Sequence, residues 1–362
     1  MKRALIFSGG GARGAYEIGV WKALEELNIK CDIVTGASIG SINGALYVEG
    51  DLNKAESLWK DINIETVFST KIEYTNDLDL IKKYLKSIKT GGLVPNNLKN
   101  NLIACMDLDK IYSSPIKYGL TTVKYPDFKL IELTKNEIPK KDFIDYLIAS
   151  STVFPVFKLK QIEDNTYIDG GFKDTIPVDL AKKLGAEEYI IVNISALGQK
   201  YHPPKNKNTI YIKPNNNLGL PLVFSSIVAR KNIKYGYNDT MKVYKKYLGK
   251  KYTFKHLSPK EDNSIYKNLN DYIHVIESLG KLFNIDDTKI YTNKTFNNAL
   301  KSSIDACSYT QNKKLKELIT TKERVLFIYN HLNTNYQNKI PKNIIKMFPK
   351  EYKLAYYLKE YL

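Results

Sequence analysis

Thr35-Gly36-Ala37-Ser38-Ile39-Gly40-Ser41 is the stretch on which the reading of this chain turns. It follows a short apolar run, Ile33-Val34, and opens a segment of helix-forming character, Ile42 to Val48. Gly36 to Gly40 spell G-x-S-x-G, and a strand, a tight turn, a serine and a helix are the setting in which that pattern forms a nucleophile elbow. The glycines suit a sharp turn because it leaves no room for Cβ atoms beside the serine. Ser38 would then project near a helix N-terminus, where the dipole favours negative charge.

Upstream, Ala4-Leu5-Ile6-Phe7 is a continuous apolar run, as expected of a buried parallel strand. It feeds Ser8-Gly9-Gly10-Gly11-Ala12-Arg13-Gly14 and then a helical stretch from Ala15 to Leu27. Gly9, Gly11 and Gly14 satisfy G-x-G-x-x-G, which raises a dinucleotide site as a rival. That fingerprint wants an acidic residue at the end of the second strand, whereas Asp32 begins it and Gly36 and Ser38 follow it. The other use of such a loop is as an oxyanion hole, its amides pointing into one small volume with a helix N-terminus behind them. Gly10 and Gly11 are the expected donors, and each such donor is worth roughly 3 kcal/mol of barrier. Arg13 either braces the loop, sits near a phosphate or carboxylate, or closes the helix N-terminus at the surface.

Leu52 to Leu108 reads as helix and loop, broken at Gly91-Gly92 and Pro95. Ile116 to Val123 and Phe128 to Thr134 alternate as strands do, and Lys140 to Ser150 reads as a helix. Phe154, Pro155 and Phe157 fit either an apolar acyl pocket or ordinary core packing. Lys158 to Ile162 and Thr166 to Ile168 form a hairpin pattern that delivers Asp169-Gly170-Gly171 at a strand end. An aspartate there, flanked by glycines, is held close to the backbone; a plain Asp-Gly turn is the competing reading. Pro177 to Leu184 is helical, with Gly185 as its stop, and Tyr189 to Ile194 and Thr209 to Ile212 are further short β-like runs.

A chain of 362 residues has room for two domains, or one large domain with an appendage. Hydrophobic residues at 43% and aromatics at 12% exclude global disorder. Cys31, Cys105 and Cys307 are odd in number and too far apart for a metal pattern, so they read as reduced, packed thiols of an intracellular protein. The first apolar run is four residues, too short for a signal peptide, and no stretch approaches a membrane span. The expectation is a soluble, cytoplasmic protein. Residues 1–200 carry 26 Lys and Arg against 26 Asp and Glu, so all of the +17 net charge falls in residues 201–362. Such asymmetry marks either an anionic partner or lysines on solvated helix faces.

These residues together resemble the patatin-like phospholipases, a family that pairs a G-G-G-x-[RK]-G loop with a G-x-S-x-G serine and a later D-G-[GA] aspartate. Here the three stand in that order at Gly9 to Gly14, Gly36 to Gly40, and Asp169 to Gly171. Gly19 to Leu24, the block ending Phe154-Pro155 and Ile176-Pro177-Val178 are further likenesses. The resemblance covers residues 3 to about 214, thins out through Gly236-Tyr237-Asn238-Asp239, and says nothing of the remainder. Two departures stand out: Ser8 where the family often has an acidic residue, and Asp174-Thr175 where it often has asparagines. They bear on substrate preference more than on chemistry.

The resemblance implies an α/β fold, a three-layer α/β/α sandwich with a mostly parallel central sheet, over residues 1–214; charge and periodicity make 215–362 a basic, mainly helical region. It implies a lipid acyl hydrolase acting on phospholipid or lysophospholipid esters through a Ser-Asp dyad. Ser38 would be the nucleophile and Asp169 the proton acceptor. The loop from Gly9 to Gly14, with Gly9, Gly10, Gly11, Arg13 and Gly14, would form the oxyanion hole. Gly36, Gly40, Gly170 and Gly171 would hold the motifs. No cofactor is expected, and with no His/Cys/Asp cluster at ligand spacing, calcium is not expected to be required. An ordinary aspartate, pKa near ~3.9, is a weak base, so the dyad needs close, partly desolvated geometry. A serine, acid, histidine order remains open through His202, His256, His274 or His331, all in polar or helical contexts.

Beyond Pro214 the pattern is helical: Ile265 to Phe283, Arg324 to Leu332 and Ile340 to Leu362 carry apolar residues three and four apart. In the last, Lys342, Lys346, Lys350, Lys353 and Lys359 interleave with Ile344, Ile345, Phe348, Tyr352, Leu354 and Tyr357. Such a stripe either lies peripherally on an anionic membrane or packs its apolar face on a core. Three further readings are a transacylase, a catalytically silent lipid-binding protein of the same fold, and nucleic-acid binding. The last lacks a fold signature and is not expected.

Overall fold

The structure, a computed structural model, describes residues 1–69, 71–194, 208–257, 266, 268–307, 320–334 and 342–362. It divides into two compact units, Met1–Val243 and Tyr244–Leu362. That division falls later than 214/215, where the likeness between sequences runs out. The reason is α10 (Ser226–Val243), which packs along α1 (Ala15–Glu26) and buries Ile233, Tyr235 and Met241 in the first unit.

The first unit is built on a mostly parallel sheet. Its strands are β1 (Arg3–Phe7), β2 (Ile33–Ala37), β3 (Lys117–Tyr125), β4 (Lys129–Thr134), β5 (Lys160–Ile162), β6 (Asn165–Asp169), β7 (Glu188–Val192) and β8 (Thr209–Ile212). Their order is β5-β6-β3-β2-β1-β7-β8, with β4 paired to β3 off that path. From β3 through β2, β1 and β7 to β8 every pairing is parallel, while β4, β5 and β6 run antiparallel to their neighbours.

β1 is central, and Ala4, Leu5, Ile6 and Phe7 are all fully buried, as a strand covered on both faces requires. Its side chains alternate between two layers. Ala4 and Ile6 pack with Ile33, Ile191 and the segment of Ile176, Ala181 and Ala186 around α9 (Val178–Lys183). Phe7 meets Tyr47 edge-on across the other face, where α1 and α2 (Ile39–Glu49) lie. The result is the three-layer α/β/α arrangement.

Between α2 and β3 the chain forms five helices, α3 (Leu52–Lys60), α4 (Ile64–Val67), α5 (Asp77–Ser87), α6 (Asn96–Cys105) and α7 (Leu108–Ser113). Between β4 and β5 lies α8 (Phe143–Ser150). The region read as one helix from Lys140 begins with a 3-10 turn, Lys140–Asp142.

The second unit has its own core around Phe254, Tyr272, Leu279, Phe283, Phe296 and Tyr357. It holds α11 (Leu269–Leu282), α12 (Asn293–Asp305), α13 (Thr321–Thr334), α14 (Lys342–Met347) and α15 (Pro349–Tyr361). It also holds a two-stranded parallel pair, β9 (Thr253–Phe254) with β10 (Ile290–Tyr291), too short to show a period in sequence. The stripe at the chain's end packs inward: Leu354, Ala355, Tyr357 and Leu358 of α15 are buried in this core. Among the described residues no helix is long and apolar enough to cross a membrane. The three cysteines carry free thiols, Cys31 buried and the other two half-buried.

One close backbone approach lies under the turn between β2 and α2. A Cβ built on Gly40 would stand 2.5 Å from the Phe7 carbonyl oxygen, backbone that cannot yield without moving β1. Gly40→Ala is expected to lower stability by about 1–3 kcal/mol, read as a fall in the denaturant midpoint. An unchanged midpoint would show that the turn relaxes without moving β1.

Candidate active site

β2 and β6 meet end to end along one edge of β3. β2 runs parallel to β3 and ends with Ala37 opposite Thr121. β6 runs antiparallel to β3 and ends with Asp169 opposite Thr122. β4 occupies the other edge over Gly119 to Lys124, so β2 and β6 must share this one. Successive positions along a strand are about 3.3 Å apart. The residue after Ala37 is therefore delivered to the end of β6.

That residue is Ser38, and its hydroxyl donates to Oδ2 of Asp169 at 2.5 Å. Both side chains are buried, each 5% exposed. Ser38 sits at φ 53°, in the left-handed region that non-glycine residues seldom adopt, and caps the start of α2. Its carbonyl accepts from the Ser41 amide and hydroxyl, at 2.9 and 2.6 Å, which closes the elbow. The second oxygen of Asp169, Oδ1, accepts the Gly171 N–H at 2.7 Å. Burial pushes the Asp169 carboxyl up to about 6, against the downward pull of the Ser38 hydroxyl and the Gly171 N–H.

The glycine loop lies alongside. A Cβ on Gly9 would stand 3.2 Å from the Ser38 Cβ. Gly11 takes φ 56°, and its own Cβ would meet the Pro221 carbonyl at 2.1 Å, so only glycine fits there. The Gly9 N–H donates to the Thr175 carbonyl, the Ala12 N–H to Pro221 and the Arg13 N–H to Gly10. Among the described residues the N–H groups of Gly10 and Gly11 donate to no carbonyl of the protein. Arg13 Nε donates to the Gly219 carbonyl at 2.8 Å, so this side chain braces the loop, and burial lowers its pKa. Gly14 is held through its carbonyl by Asn43 Nδ2, which also donates to Glu17, while Trp59 Nε1 donates to Asn43 Oδ1. Burial drives the Glu17 carboxyl far upward, towards its neutral form. Ser8, at the place where an acid is common in the resembled family, accepts the Ile194 N–H through Oγ at 2.8 Å. An acceptor oxygen is what that position supplies.

The structure brings Ser38, Asp169 and the glycine loop together, and sequence reasoning missed the parts that hold them. Gly219 and Pro221 back the loop from a segment with no motif. Ser150 receives the Ser38 N–H at 2.9 Å, and the Thr152 carbonyl receives the Asp169 N–H at 2.8 Å. Only the run of small residues Ala149-Ser150-Ser151-Thr152 hinted at close packing there. No histidine among the described residues is hydrogen-bonded to Ser38 or Asp169; His202 lies outside them. Phe157 packs edge-on against Phe68 in a core cluster with Tyr84 and Phe224, while Phe154 lies against Tyr125 with the rings tilted by 45°. An apolar cavity of about 280 Å³ lies at the start of α2, lined by Ile39, Ile42, Leu46, Trp59, Val67, Leu98 and Leu102 among others. None of Phe154, Pro155 and Phe157 lines it. Among the described residues, no three His, Cys, Asp or Glu side chains cluster as they would around a metal ion.

Residues 5–182 match the family model described as patatin-like phospholipase, and this part of the chain belongs to that family. Among curated relatives, human patatin-like phospholipase domain-containing protein 6 is 29% identical over 198 residues, 53% of this chain and 13% of that one. Lysophospholipase nte1 of Aspergillus terreus is 23% identical over 197 residues, 53% of this chain and 12% of its own. The chain thus spans about an eighth of the length of these relatives. Among solved structures, VipD of Legionella pneumophila aligns with 99% of this chain and 87% of its own, at 13% identity and a TM-score of 0.44.

The buried carboxyl has a measurable consequence for stability. Unfolded, Asp169 titrates near ~3.9; folded, it titrates near 6. Between those values the folded state holds the proton that the unfolded state has released, so stability falls as pH rises through about 4 to 6 and is level above. The total is about 3 kcal/mol. Asp169→Asn keeps the shape without the charge and is expected to raise the melting temperature at pH 7.5 by about 5 °C. It should also flatten the fall between pH 4 and 6. A lower melting temperature for the variant would contradict the burial cost assigned to Asp169.

Proposed function

We propose that this chain is a lipid acyl hydrolase in which Ser38 is the nucleophile and Asp169 the base, cleaving fatty-acyl esters of the phospholipid or lysophospholipid kind. The observation that carries the reading is the 2.5 Å hydrogen bond from the Ser38 hydroxyl to a buried carboxylate whose pKa stands near 6. An ordinary aspartate near ~3.9 would be a poor acceptor for a serine proton. One near 6 is still ionised at neutral pH and is about a hundredfold more basic, which is where general-base catalysis works best.

In the reaction, Ser38 Oγ attacks the ester carbonyl as its proton passes to Asp169. The carbonyl π electrons move onto oxygen, and the role of receiving that oxyanion falls to the N–H groups of Gly10 and Gly11, which donate to no carbonyl among the described residues. Removing one such donor typically costs about 3–4 kcal/mol of barrier. The tetrahedral species collapses, and the alcohol leaves with the proton held by Asp169. A water then gives its proton to Asp169 and attacks the acyl-enzyme. The fatty acid departs, and Ser38 recovers its proton. The neighbouring Gly9 contact and the Arg13–Gly219 brace support this role for the loop.

Lipid rather than a polar ester is favoured by the apolar cavity that runs along α2 from Ile39, the residue after Ser38. Its 280 Å³ falls just below the usual range of small-molecule pockets, about 300–1,000 Å³. That is room for one acyl chain. Contact with an anionic membrane would have to use surface lysines, since the apolar face of α15 is buried.

The decisive measurement is hydrolysis of p-nitrophenyl esters and fatty-acid release from phospholipid and lysophospholipid by wild type, Ser38→Ala and Asp169→Asn. Each substitution is expected to lower kcat by about 10³-fold or more, and the wild-type rate should fall as pH drops through about 6. Undiminished turnover in either variant would sink the dyad. The cavity is tested separately: Leu102→Trp should slow decanoyl and longer esters at least about tenfold while leaving acetyl esters nearly unchanged. An unaltered chain-length profile would place the acyl chain elsewhere.

A further inference from the structure

Ser150 is the last residue of α8 and is wholly buried. Serine and threonine hydroxyls near a helix end usually turn back on their own helix. Its two neighbours do so: Ser151 Oγ donates to the Leu147 carbonyl and Thr152 Oγ1 to that of Ile148. Ser150 instead reaches across to the sheet. Its Oγ accepts the Ser38 N–H at 2.9 Å and donates to the Thr121 carbonyl at 2.8 Å. Thr121 is the β3 residue paired with Ala37, and its neighbour Thr122 is paired with Asp169. One hydroxyl thus ties the nucleophile's own amide to the point on β3 where β2 and β6 meet. Two residues further on, the Thr152 carbonyl holds the Asp169 N–H.

Ser38 has a backbone conformation that a non-glycine residue keeps only where its surroundings enforce it. Its N–H begins α2 and has no acceptor within that helix. We propose that Ser150 is a positioning residue, which fixes the Ser38–Asp169 separation by linking the Ser38 amide through its own hydroxyl to the Thr121 carbonyl. The proposal rests on the Ser38–Asp169 reading above. It assigns a role in the reaction to a side chain that touches neither substrate nor the transferred proton.

The test uses two readouts on the full chain. One is kcat and KM for p-nitrophenyl butyrate. The other is the rate at which a long-chain alkyl fluorophosphonate labels Ser38, followed against pH. Ser150→Ala is expected to lower kcat and the labelling rate about tenfold or more, with KM little changed. Its acid limb should move to higher pH. The sign follows because the Ser38 hydrogen bond lowers the Asp169 pKa, so loosening that bond raises it. The groups that set this pKa are burial, the Ser38 hydroxyl and the Gly171 N–H, with no charged side chain among them. Ser150→Cys, a near-isosteric and weaker hydrogen-bonding group, should fall between wild type and Ser150→Ala. It also takes over the comparison if the alanine variant does not fold.

Thr240→Ala controls for stability alone, since this buried hydroxyl is bonded to the Gly236 carbonyl within α10. It should leave the acid limb in place. A labelling rate and acid limb in Ser150→Ala equal to those of wild type would overturn the proposal, as would an equal shift in Thr240→Ala. Wild type that is not labelled, or Ser38→Ala labelled equally well, would overturn the dyad reading, and this proposal with it.

Discussion

The structure depends on two strands of opposite direction ending at adjacent positions on one edge of β3. β2 arrives parallel and stops opposite Thr121; β6 arrives antiparallel and stops opposite Thr122. Ladder spacing then leaves Ser38 and Asp169 almost no freedom in where they fall. Residues 131 apart in the chain are brought to 2.5 Å by the ladder itself rather than by flexible loops. A site held on rigid elements keeps its geometry more closely than one held on loops. Here the strand ends are locked further by the glycines that let β1 lie against the elbow.

Placing a carboxylate in that junction has a cost in stability. Among the described residues the buried Asp169 carboxyl has a hydroxyl and an amide as partners, and it holds its proton to higher pH than an ordinary aspartate. The same desolvation that weakens the fold raises the carboxyl's pKa, which suits the base role proposed for Asp169. The helices behind the loop show a related economy of contacts. Trp59, Asn43 and Glu17 form a buried polar chain that ends on the Gly14 carbonyl, so α1, α2 and α3 all bear on the loop's geometry.

Much of the architecture was legible because its signals are local. Ala4 to Phe7 reads as a strand buried on both faces, and it occupies the middle of the sheet. The helical periods around Ile265 to Phe283 and Arg324 to Leu332 correspond to α11 and α13. The extent of the first unit was only faintly legible, in the thinning likeness at Gly236 to Asp239, because α10 joins it chiefly through packing on α1. Nor was the fate of the basic stripe near the chain's end. Amphipathic periodicity says that a helix has an apolar face, and only packing says what that face covers; for α15 it is the core of its own unit.

The sequence by itself determined which residues are candidates for chemistry and which local shapes they take. G-x-S-x-G between a strand and a helix dictates an elbow, and successive glycines dictate a loop with open amides, because both follow from steric limits within a few residues. What only the tertiary structure decided is who holds whom. Ser150 reaching the Ser38 amide, the Thr152 carbonyl on the Asp169 amide, and Gly219 and Pro221 bracing the loop are contacts between segments far apart in the chain. Such contacts carry no periodicity and no spacing. They exist because a mostly parallel sheet brings its strand ends to one side, and buried N–H groups there must each find an acceptor.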